Sequence, residues 1–257
     1  MGKYQLPIKP CGLPISKAAK KYPELRKFVQ KNRLNLGNPE ALLLYNQLIL
    51  RDFLSLKFTI PQGFLVPTIC SRWSFIEWIL QFSPINVLEI GTGASAILAL
   101  ILARIGCFVV ATEIDPLAYE SAISNIKINN LENKISIIYS DSERYILSHL
   151  FETLVRFDTI ITNPPQYDEE YYNKLQSSKG FTGQKIELVG GKKGHEFIMN
   201  LLEEVQSFKS PPNVYFQLTM PKLVEEINKL LKDADFIFST KIISIGTRQR
   251  VYYKIEF

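Results

Sequence analysis

The sequence has few of the residues from which metal centres and disulfide frameworks are built. Its 257 residues include three cysteines and two histidines. Cys11, Cys70 and Cys107 are odd in number and far apart, a pattern that fits neither a disulfide framework nor a zinc site. His149 and His195 have no cysteine, histidine or aspartate at metal-ligand spacing. We therefore expect no metal ion, and a reducing, cytoplasmic setting.

The sequence also lacks an unbroken apolar run long enough to cross a membrane. Its most apolar stretch, "ASAILALILARIGCFVVAT" (residues 94–112), is interrupted by Arg104 and Gly106. A spanning helix needs about 20 apolar residues in one element, so this stretch predicts a short helix followed by a strand. The opening "MGKYQLPIKP" has no apolar core of the kind that signal peptides contain. We expect no membrane partner.

Acidic residues are scarce at the start of the chain. Residues 1–40 contain nine Lys or Arg and two Glu, a net charge of +7, whereas the other residues contain 21 Lys or Arg and 23 Asp or Glu, a net charge of −2. The centre of the basic excess is "SKAAKKYPELRKFVQKNR" (residues 16–33). Such a segment either contacts the phosphates of a nucleic acid or forms the solvated face of a helix, and the pattern allows both.

Hydrophobic periodicity divides the chain into a helical first part and an α/β second part. Helices are predicted over Lys17–Gln30, Pro39–Lys57 and Ser71–Gln81. From residue 86 onward strands and helices alternate, which indicates a parallel sheet. The predicted strands are Val87–Ile90, Cys107–Thr112, Ile135–Tyr139, Phe157–Thr162, Val214–Leu218, Phe236–Ile243 and Val251–Ile255.

The last two strands are joined by the short link "SIGTRQR", which predicts an antiparallel hairpin. Five parallel strands followed by such a hairpin are typical of Rossmann-like class I methyltransferases. We therefore predict an α/β fold with a mostly parallel seven-stranded sheet over residues 85–257. A basic helical extension over residues 1–84 precedes it.

The stretch "VLEIGTGAS" (residues 87–95) has the pattern of a strand, a glycine turn and a helix start. Gly91 and Gly93 allow the backbone to bend sharply and approach a ligand. Glu113 ends the next strand, where an acid can accept hydrogen bonds from ribose hydroxyls, and Asp141 ends the third, where it could bind an adenine amino group. Because the turn lacks the third glycine of a dinucleotide site, the pattern favours S-adenosylmethionine as cofactor.

The turn "NPPQ" (residues 163–166) follows the fourth strand, at the sheet edge where open α/β proteins place their reaction site. The lone pair of a planar nitrogen, in adenine or in an amide, is delocalised. The Asn163 side-chain oxygen and the Pro164 carbonyl can accept its two N–H bonds and make the nitrogen more nucleophilic. The alternative is ordinary turn chemistry, since Asn-Pro commonly opens turns.

With these motifs in order, the chain resembles the ribosomal large-subunit methyltransferase F family, to which methyltransferase-like protein 16 of eukaryotes belongs. The resemblance spans roughly residues 51–257 and is carried by "RDFLSLKFTIPQGFLVPTICSRWSFIEWI", "EIGTGAS", "TEID", "NPP", "GG" followed by "EF", and "GTRQRVYYKIEF". It implies methylation of adenosine N6 in structured RNA such as ribosomal or small nuclear RNA.

The resemblance also implies roles for individual residues. Arg72 would pair with the carboxylate of S-adenosylmethionine and Glu113 would hold its ribose. The remaining candidates are Glu89, Gly91, Gly93, Ser95, Asp141 and Asn163 for the cofactor, and Asn163, Pro164, Pro165, Gln166 and Tyr167 for the target amine.

Two departures from the family leave alternatives open. Gln166 stands where the family usually has a phenylalanine that stacks on the target base, and the next residue, Tyr167, could replace that ring. "GGKKGHEF" (residues 190–197) resembles the glycine-rich segment of glutamine-N5 methyltransferases, which modify release factors. A non-catalytic RNA-binding subunit that retains the fold is a further alternative. Residues 167–186 show little periodicity and predict a substrate-binding loop that contacts RNA, or a mobile insertion.

Overall fold

The computed structural model describes residue 4 and residues 15–31, 33–140, 146–147, 157–176, 178, 181–246 and 248–257. Its helices are α1 Ile15–Lys21, α2 Pro39–Leu54, α3 Ile69–Ile79, α4 Ile97–Arg104, α5 Pro116–Ile128, α6 Glu169–Gln176, α7 Lys185–Leu188, α8 Glu196–Gln206 and α9 Pro221–Asp233. Its strands are β1 Val29–Gln30, β2 Arg33–Leu34, β3 Asn86–Ile90, β4 Phe108–Glu113, β5 Ile135–Tyr139, β6 Thr159–Thr162, β7 Asn213–Leu218, β8 Ile237–Ile245 and β9 Arg248–Glu256. Cys11, Asp141 and His149 lie outside the described residues.

The central sheet has seven strands in the order β5-β4-β3-β6-β7-β9-β8. Strands β3 to β7 are parallel to one another, and β9 pairs antiparallel with both β7 and β8. The predicted α/β sheet with its terminal hairpin is therefore confirmed. The predicted bounds of the sheet strands are within two residues of the observed ones, except that β9 starts at Arg248, three residues before the predicted start at Val251.

The predicted helix Lys17–Gln30 is wrong. Helix α1 ends at Lys21, a 3₁₀ helix spans Pro23–Phe28, and a two-stranded hairpin of β1 and β2 follows. Pro23 is the physical reason, because a proline pushes the preceding residue towards extended backbone. Tyr22 accordingly has φ −118° and ψ 93°.

The other two N-terminal helices form close to where they are predicted. Asn38 caps α2, since its side chain accepts hydrogen bonds from the N–H groups of Glu40 and Ala41. Helix α2 ends at Leu54 instead of the predicted Lys57, because Ser55 takes the left-handed conformation with φ 52°.

The N-terminal helices and one face of the sheet share a hydrophobic core. Leu25, Trp73 and Phe75 belong to the same buried cluster as Val87 of β3 and Tyr215 of β7. The alternate sheet residues point to the opposite face and pack against α8 and α9. The described residues between 15 and 84 thus pack on one face of the sheet that carries the predicted site.

Residues 167–186 were predicted to form a loop, and the structure shows helices within this range. Within this range, α6 forms at Glu169–Gln176 and α7 begins at Lys185. Tyr167 also forms an isolated bridge with Val189. The charged residues that weaken the apolar periodicity lie on exposed faces of α6, whose buried residue is Tyr172. No helix in the described part of the chain is long and apolar enough to cross a bilayer.

Candidate active site

A cavity of about 630 Å³ opens at the carboxyl ends of β3, β4 and β6. This is the edge of an open α/β sheet where ligands are expected. The walls contain predicted site residues from both the cofactor motif and the Asn-Pro-Pro turn. These lining residues are Arg72, Glu89, Gly91, Gly93, Ser95, Glu113, Asn163 and Pro165.

The glycine turn between β3 and α4 is held by the end of β4. Gly91 and Gly93 both have φ 69°, a left-handed conformation that residues with side chains rarely adopt. The Gly91 N–H donates to Thr112 Oγ1 (3.3 Å), and the Thr92 N–H donates to the Thr112 carbonyl (2.9 Å). The glycine turn predicted from the sequence is therefore present. The hydrogen bonds from the turn to Thr112 could not be predicted from the sequence.

Glu113 joins the glycine turn to the start of α5. One carboxylate oxygen accepts from the Gly93 N–H (2.7 Å), and the other accepts from the N–H groups of Ile114 (2.9 Å) and Asp115 (3.0 Å). Burial raises the pKa of Glu113, although these hydrogen bonds act in the opposite direction. Since a carboxylate has about four acceptor sites and three are used, about one remains on Glu113 for a ribose hydroxyl.

Arg72 and Glu89 line the cavity, and Arg250 lies close enough to Arg72 to affect its pKa. Burial, and next the nearby Arg250, lower the pKa of Arg72 to about 10. Burial raises the pKa of Glu89 to about 7, although it accepts a hydrogen bond from Thr92 Oγ1 (2.9 Å). Arg250 donates from Nε to Ser71 Oγ (2.6 Å). A glutamate that is partly neutral leaves excess positive charge here, which suits a carboxylate ligand.

The Asn163 side chain is fixed by the neighbouring strand. Its Oδ1 accepts from Gln217 Nε2 (2.8 Å), while Thr162 Oγ1 donates to the Ile90 carbonyl (2.9 Å). Pro164 is buried, and none of the residues that the structure describes donates to its carbonyl. The turn thus combines a constrained amide with a backbone carbonyl. Of the five residues predicted for the target amine, Asn163 and Pro165 line the cavity, and Pro164, Gln166 and Tyr167 do not.

Gln166 points its amide towards the end of β7. Its Nε2 donates to the Gln217 carbonyl (3.2 Å), and its Oε1 accepts from Thr219 N–H (2.8 Å) and Oγ1 (3.0 Å). Tyr167 is half-buried and packs edge-on against Tyr171, with ring centroids 5.0 Å apart. Gln166 therefore braces the turn, and Tyr167 is the aromatic residue that follows it in the chain.

The glycine-rich segment packs directly on the Asn-Pro-Pro turn. A Cβ on Gly190 would lie 2.5 Å from the Gly194 carbonyl oxygen and 2.6 Å from that of Pro165. A Cβ on Gly194, whose φ is +86°, would lie 3.1 Å from the Gln166 carbonyl oxygen. The paired glycines in "GGKKGHEF" are the sequence signal for this contact, but their partner in the fold could not be read from it.

The loop before α3 closes the cavity from the other side. Glu187 of α7 accepts from the N–H groups of Leu65 (3.0 Å) and Gln184 (2.8 Å), and burial raises its pKa. Leu65 and Pro67 line the cavity. Glu187 was not among the predicted site residues. Gln184 is three residues from Glu187 in the chain, whereas Leu65 is 122 residues away. A contact over that distance has no local sequence signal.

Comparison with known proteins gives the family. The profile of a family described as RNA methyltransferase matches residues 13–246. The chain belongs to this RNA methyltransferase family. The resemblance identified from the motifs is thereby confirmed, and so is the prediction of a methyltransferase.

Three relatives show the range of the family. A Methanocaldococcus jannaschii protein with a provisional methyltransferase name, MJ0046, is 32% identical to this chain. The alignment covers 95% of this chain and 98% of MJ0046. Ribosomal RNA large subunit methyltransferase F of Pseudomonas savastanoi is 27% identical over 92% of this chain and 83% of that protein. Human RNA N(6)-adenosine-methyltransferase METTL16 is 30% identical over 63% of this chain, which spans 32% of METTL16.

Solved structures confirm the fold. The human METTL16 catalytic domain in complex with the MAT2A 3′UTR hairpin 1 has a TM-score of 0.83 at 23% identity, covering 95% of this chain and 91% of that one. The N-terminal domain of human METTL16 in complex with SAH has a TM-score of 0.77 at 23% identity, covering 95% of this chain and 94% of that one. The family membership and this neighbour agree with S-adenosylmethionine as the predicted cofactor.

Proposed function

We propose that this chain transfers a methyl group from S-adenosylmethionine to N6 of adenosine in RNA. The observation that carries the proposal is the opening of the Asn-Pro-Pro turn into the same cavity as the glycine turn. The names of the relatives support the substrate, since human METTL16 is named an RNA N(6)-adenosine-methyltransferase. The U6 small nuclear RNA enzyme of Schizosaccharomyces pombe is named for adenine N(6) as well.

The cofactor would occupy the wall formed by β3, β4 and α3. The backbone of the turn around Gly91 and Gly93 can approach it closely, and Glu113 would accept from its ribose hydroxyls. Arg72 would pair with its carboxylate, at a wall where Arg250 adds positive charge. S-adenosylmethionine supplies a methyl group on a positively charged sulfur, so the protein needs to position the acceptor and provides no covalent nucleophile.

The acceptor would lie at the Asn-Pro-Pro turn. Asn163 Oδ1 has two lone pairs, of which Gln217 uses one, and the other can accept an N–H bond of the target amine. The Pro164 carbonyl can accept the second. These bonds draw electron density towards the nitrogen as positive charge develops there, which lowers the barrier to transfer. Tyr167 is the ring that we assign to the base, because the Gln166 amide is engaged by Gln217 and Thr219.

Contact with RNA is assigned to the basic N-terminal segment and to residues 167–186. Ala18, Tyr22 and Leu25 are buried, so the apolar side of this segment faces the core. Its basic side chains point to solvent: Lys17, Lys20, Arg26, Lys27, Lys31 and Arg33 are exposed. Exposed cations of this kind attract phosphates in a salt-dependent way.

Charge-removing substitutions test this contact better than a truncation, which would also remove buried residues. We expect the variant Lys17→Gln, Lys20→Gln, Lys27→Gln, Lys31→Gln to bind RNA at least about tenfold more weakly at low salt. Its dependence of affinity on salt should be shallower. The matched control replaces four exposed lysines elsewhere, Lys209, Lys222, Lys229 and Lys232. Equal losses in both variants would contradict the assignment.

Labelled S-adenosylmethionine tests the function itself. The protein is incubated with total RNA or with cell protein, and the methylated species is identified after digestion. We expect label in RNA. Label confined to a glutamine of a protein would establish the glutamine-N5 alternative. RNA binding without label in either pool would establish a non-catalytic subunit.

A further inference from the structure

Gln217 lies where a buried strand residue would ordinarily be apolar. It is 1% exposed on β7, the parallel neighbour of β6, and the residues beside it in the strand, Phe216 and Leu218, are fully buried. Its Nε2 donates to Asn163 Oδ1 (2.8 Å). Its Oε1 is buried, and no hydrogen-bond donor reaches it within the described part of the chain. A buried amide with an unsatisfied oxygen costs stability, so a role in packing alone does not account for it.

The second amide of this network holds the same turn from its other end. Gln166 donates to the backbone carbonyl of Gln217 and accepts from Thr219. The side chain of Gln217 thus contacts the first residue of the "NPPQ" turn, and its backbone contacts the last. Neither contact is local, because Asn163 and Gln217 are 54 residues apart and Gln166 and Thr219 are 53 apart.

The direction of the Gln217 bond matters for the chemistry. An asparagine amide has a donor edge and an acceptor edge of nearly equal size, and packing alone does not distinguish them. An N–H donor directed at one edge favours the orientation with oxygen on that edge. The acceptor is then held in a fixed place, where it can also receive the amine of the substrate.

We propose that Gln217 is a positioning residue that fixes the orientation of the Asn163 amide, with Gln166 as the brace of the turn. This inference rests on the proposed function and identifies what prepares Asn163 for it. The residue at 217 would act through Asn163 and would not touch the target base.

Two substitutions of similar size test the proposal. Gln217→Met keeps the volume and removes the donor. Gln217→Glu removes the donor while the carboxylate is ionised and restores one when it is protonated. An ionised carboxylate would also attract the Asn163 N–H₂ group and invert the amide. The matched controls are Gln206→Met and Gln206→Glu, at an exposed position at the end of α8.

We expect kcat for methyl transfer to fall at least tenfold in Gln217→Met at every pH. In Gln217→Glu the ratio of kcat to the wild-type value should be similarly low at pH 8 and rise as the pH falls. KM for S-adenosylmethionine should change less than twofold in both. Values of kcat within twofold of wild type would overturn the proposal, as would the same pH profile in the two variants.

An NMR measurement that does not depend on methyl transfer tests this proposal separately from the proposed function. The Asn163 side-chain amide signal can be assigned in ¹⁵N-asparagine-labelled protein as the signal that Asn163→Ala lacks. It should shift in Gln217→Met and titrate with pH in Gln217→Glu, with SAH affinity confirming that each variant is folded. An unchanged signal would refute the positioning role even if the wild-type protein proved inactive on RNA, and a titrating signal would support it in that case too.

Discussion

The two halves of the cavity are assembled in different ways. The cofactor half is built from consecutive elements, and Glu113 reaches the Gly93 N–H across 20 residues of one β-α-β unit. The acceptor half depends on contacts across more than 50 residues, such as the bond from Gln217 to Asn163. A local turn can therefore be recognised from a short motif. The Asn-Pro-Pro motif of the acceptor turn is shared with other enzymes. The residues that hydrogen-bond to this turn, such as Gln217 and Thr219, are more than 50 residues away in the chain.

Asn163→Ala should show the largest difference between an effect on kcat and an effect on cofactor binding. We expect kcat to fall by at least about 100-fold, the scale seen when one preorganised hydrogen-bonding group is removed from a reaction site. SAH affinity, measured by calorimetry, should fall far less. Asn133→Ala, at an exposed turn, is the control. A variant with normal kcat would show that the turn is structural only.

Glu113→Ala should weaken SAH binding more than it lowers kcat. Hydrogen bonds to charged groups contribute about 1.5–3 kcal/mol, so loss of the ribose contact predicts SAH affinity weaker by roughly 10- to 100-fold. The exposed Glu132→Ala is the control. Equal SAH affinity in the two variants would contradict the ribose contact assigned to Glu113.

Gly190→Ala tests the contact between the glycine-rich segment and the acceptor turn. The added methyl group would lie 2.6 Å from the Pro165 carbonyl oxygen, and such overpacking costs about 1–3 kcal/mol. We expect kcat to fall roughly tenfold while SAH affinity changes little. Gly37→Ala is a fair control because Gly37 does not have a positive φ. A loss of SAH affinity equal to the loss of kcat would mean that the two halves are not separable.

Glu89→Gln should have the smallest effect, on the stability of the cofactor-free protein. The folded-state pKa of Glu89 is raised from 4.5 to about 7. The native protein therefore holds a proton that the unfolded chain releases. This contribution is complete below the unfolded pKa and is lost as the pH rises through about 7.

Urea unfolding at pH 5 and pH 8 measures the contribution of Glu89 protonation to the free energy of unfolding. The wild-type protein should lose roughly 1–3 kcal/mol more than Glu89→Gln between the two pH values, since each pKa unit corresponds to about 1.4 kcal/mol. Parallel pH dependence in the two proteins would show that Glu89 stays ionised.

The same distinction explains how far the sequence could predict the fold and the site. Short apolar runs that alternate with helical segments located the strands, and the glycine turn with Glu113 located the cofactor half, because both depend on neighbouring residues. The periodicity over residues 17–30 suggested one helix, but Pro23 breaks it. Gln166 was expected to weaken base recognition, yet its role depends on Thr219 and Gln217, which only the parallel pairing of β6 and β7 brings near.

Mass spectrometry of nucleosides from RNA treated with the protein and methyl-deuterated S-adenosylmethionine tests the central claim most directly. We predict deuterated N6-methyladenosine with the wild-type protein and its loss with Asn163→Ala. Deuterium on another nucleoside, or equal N6-methyladenosine from both proteins, would contradict the account.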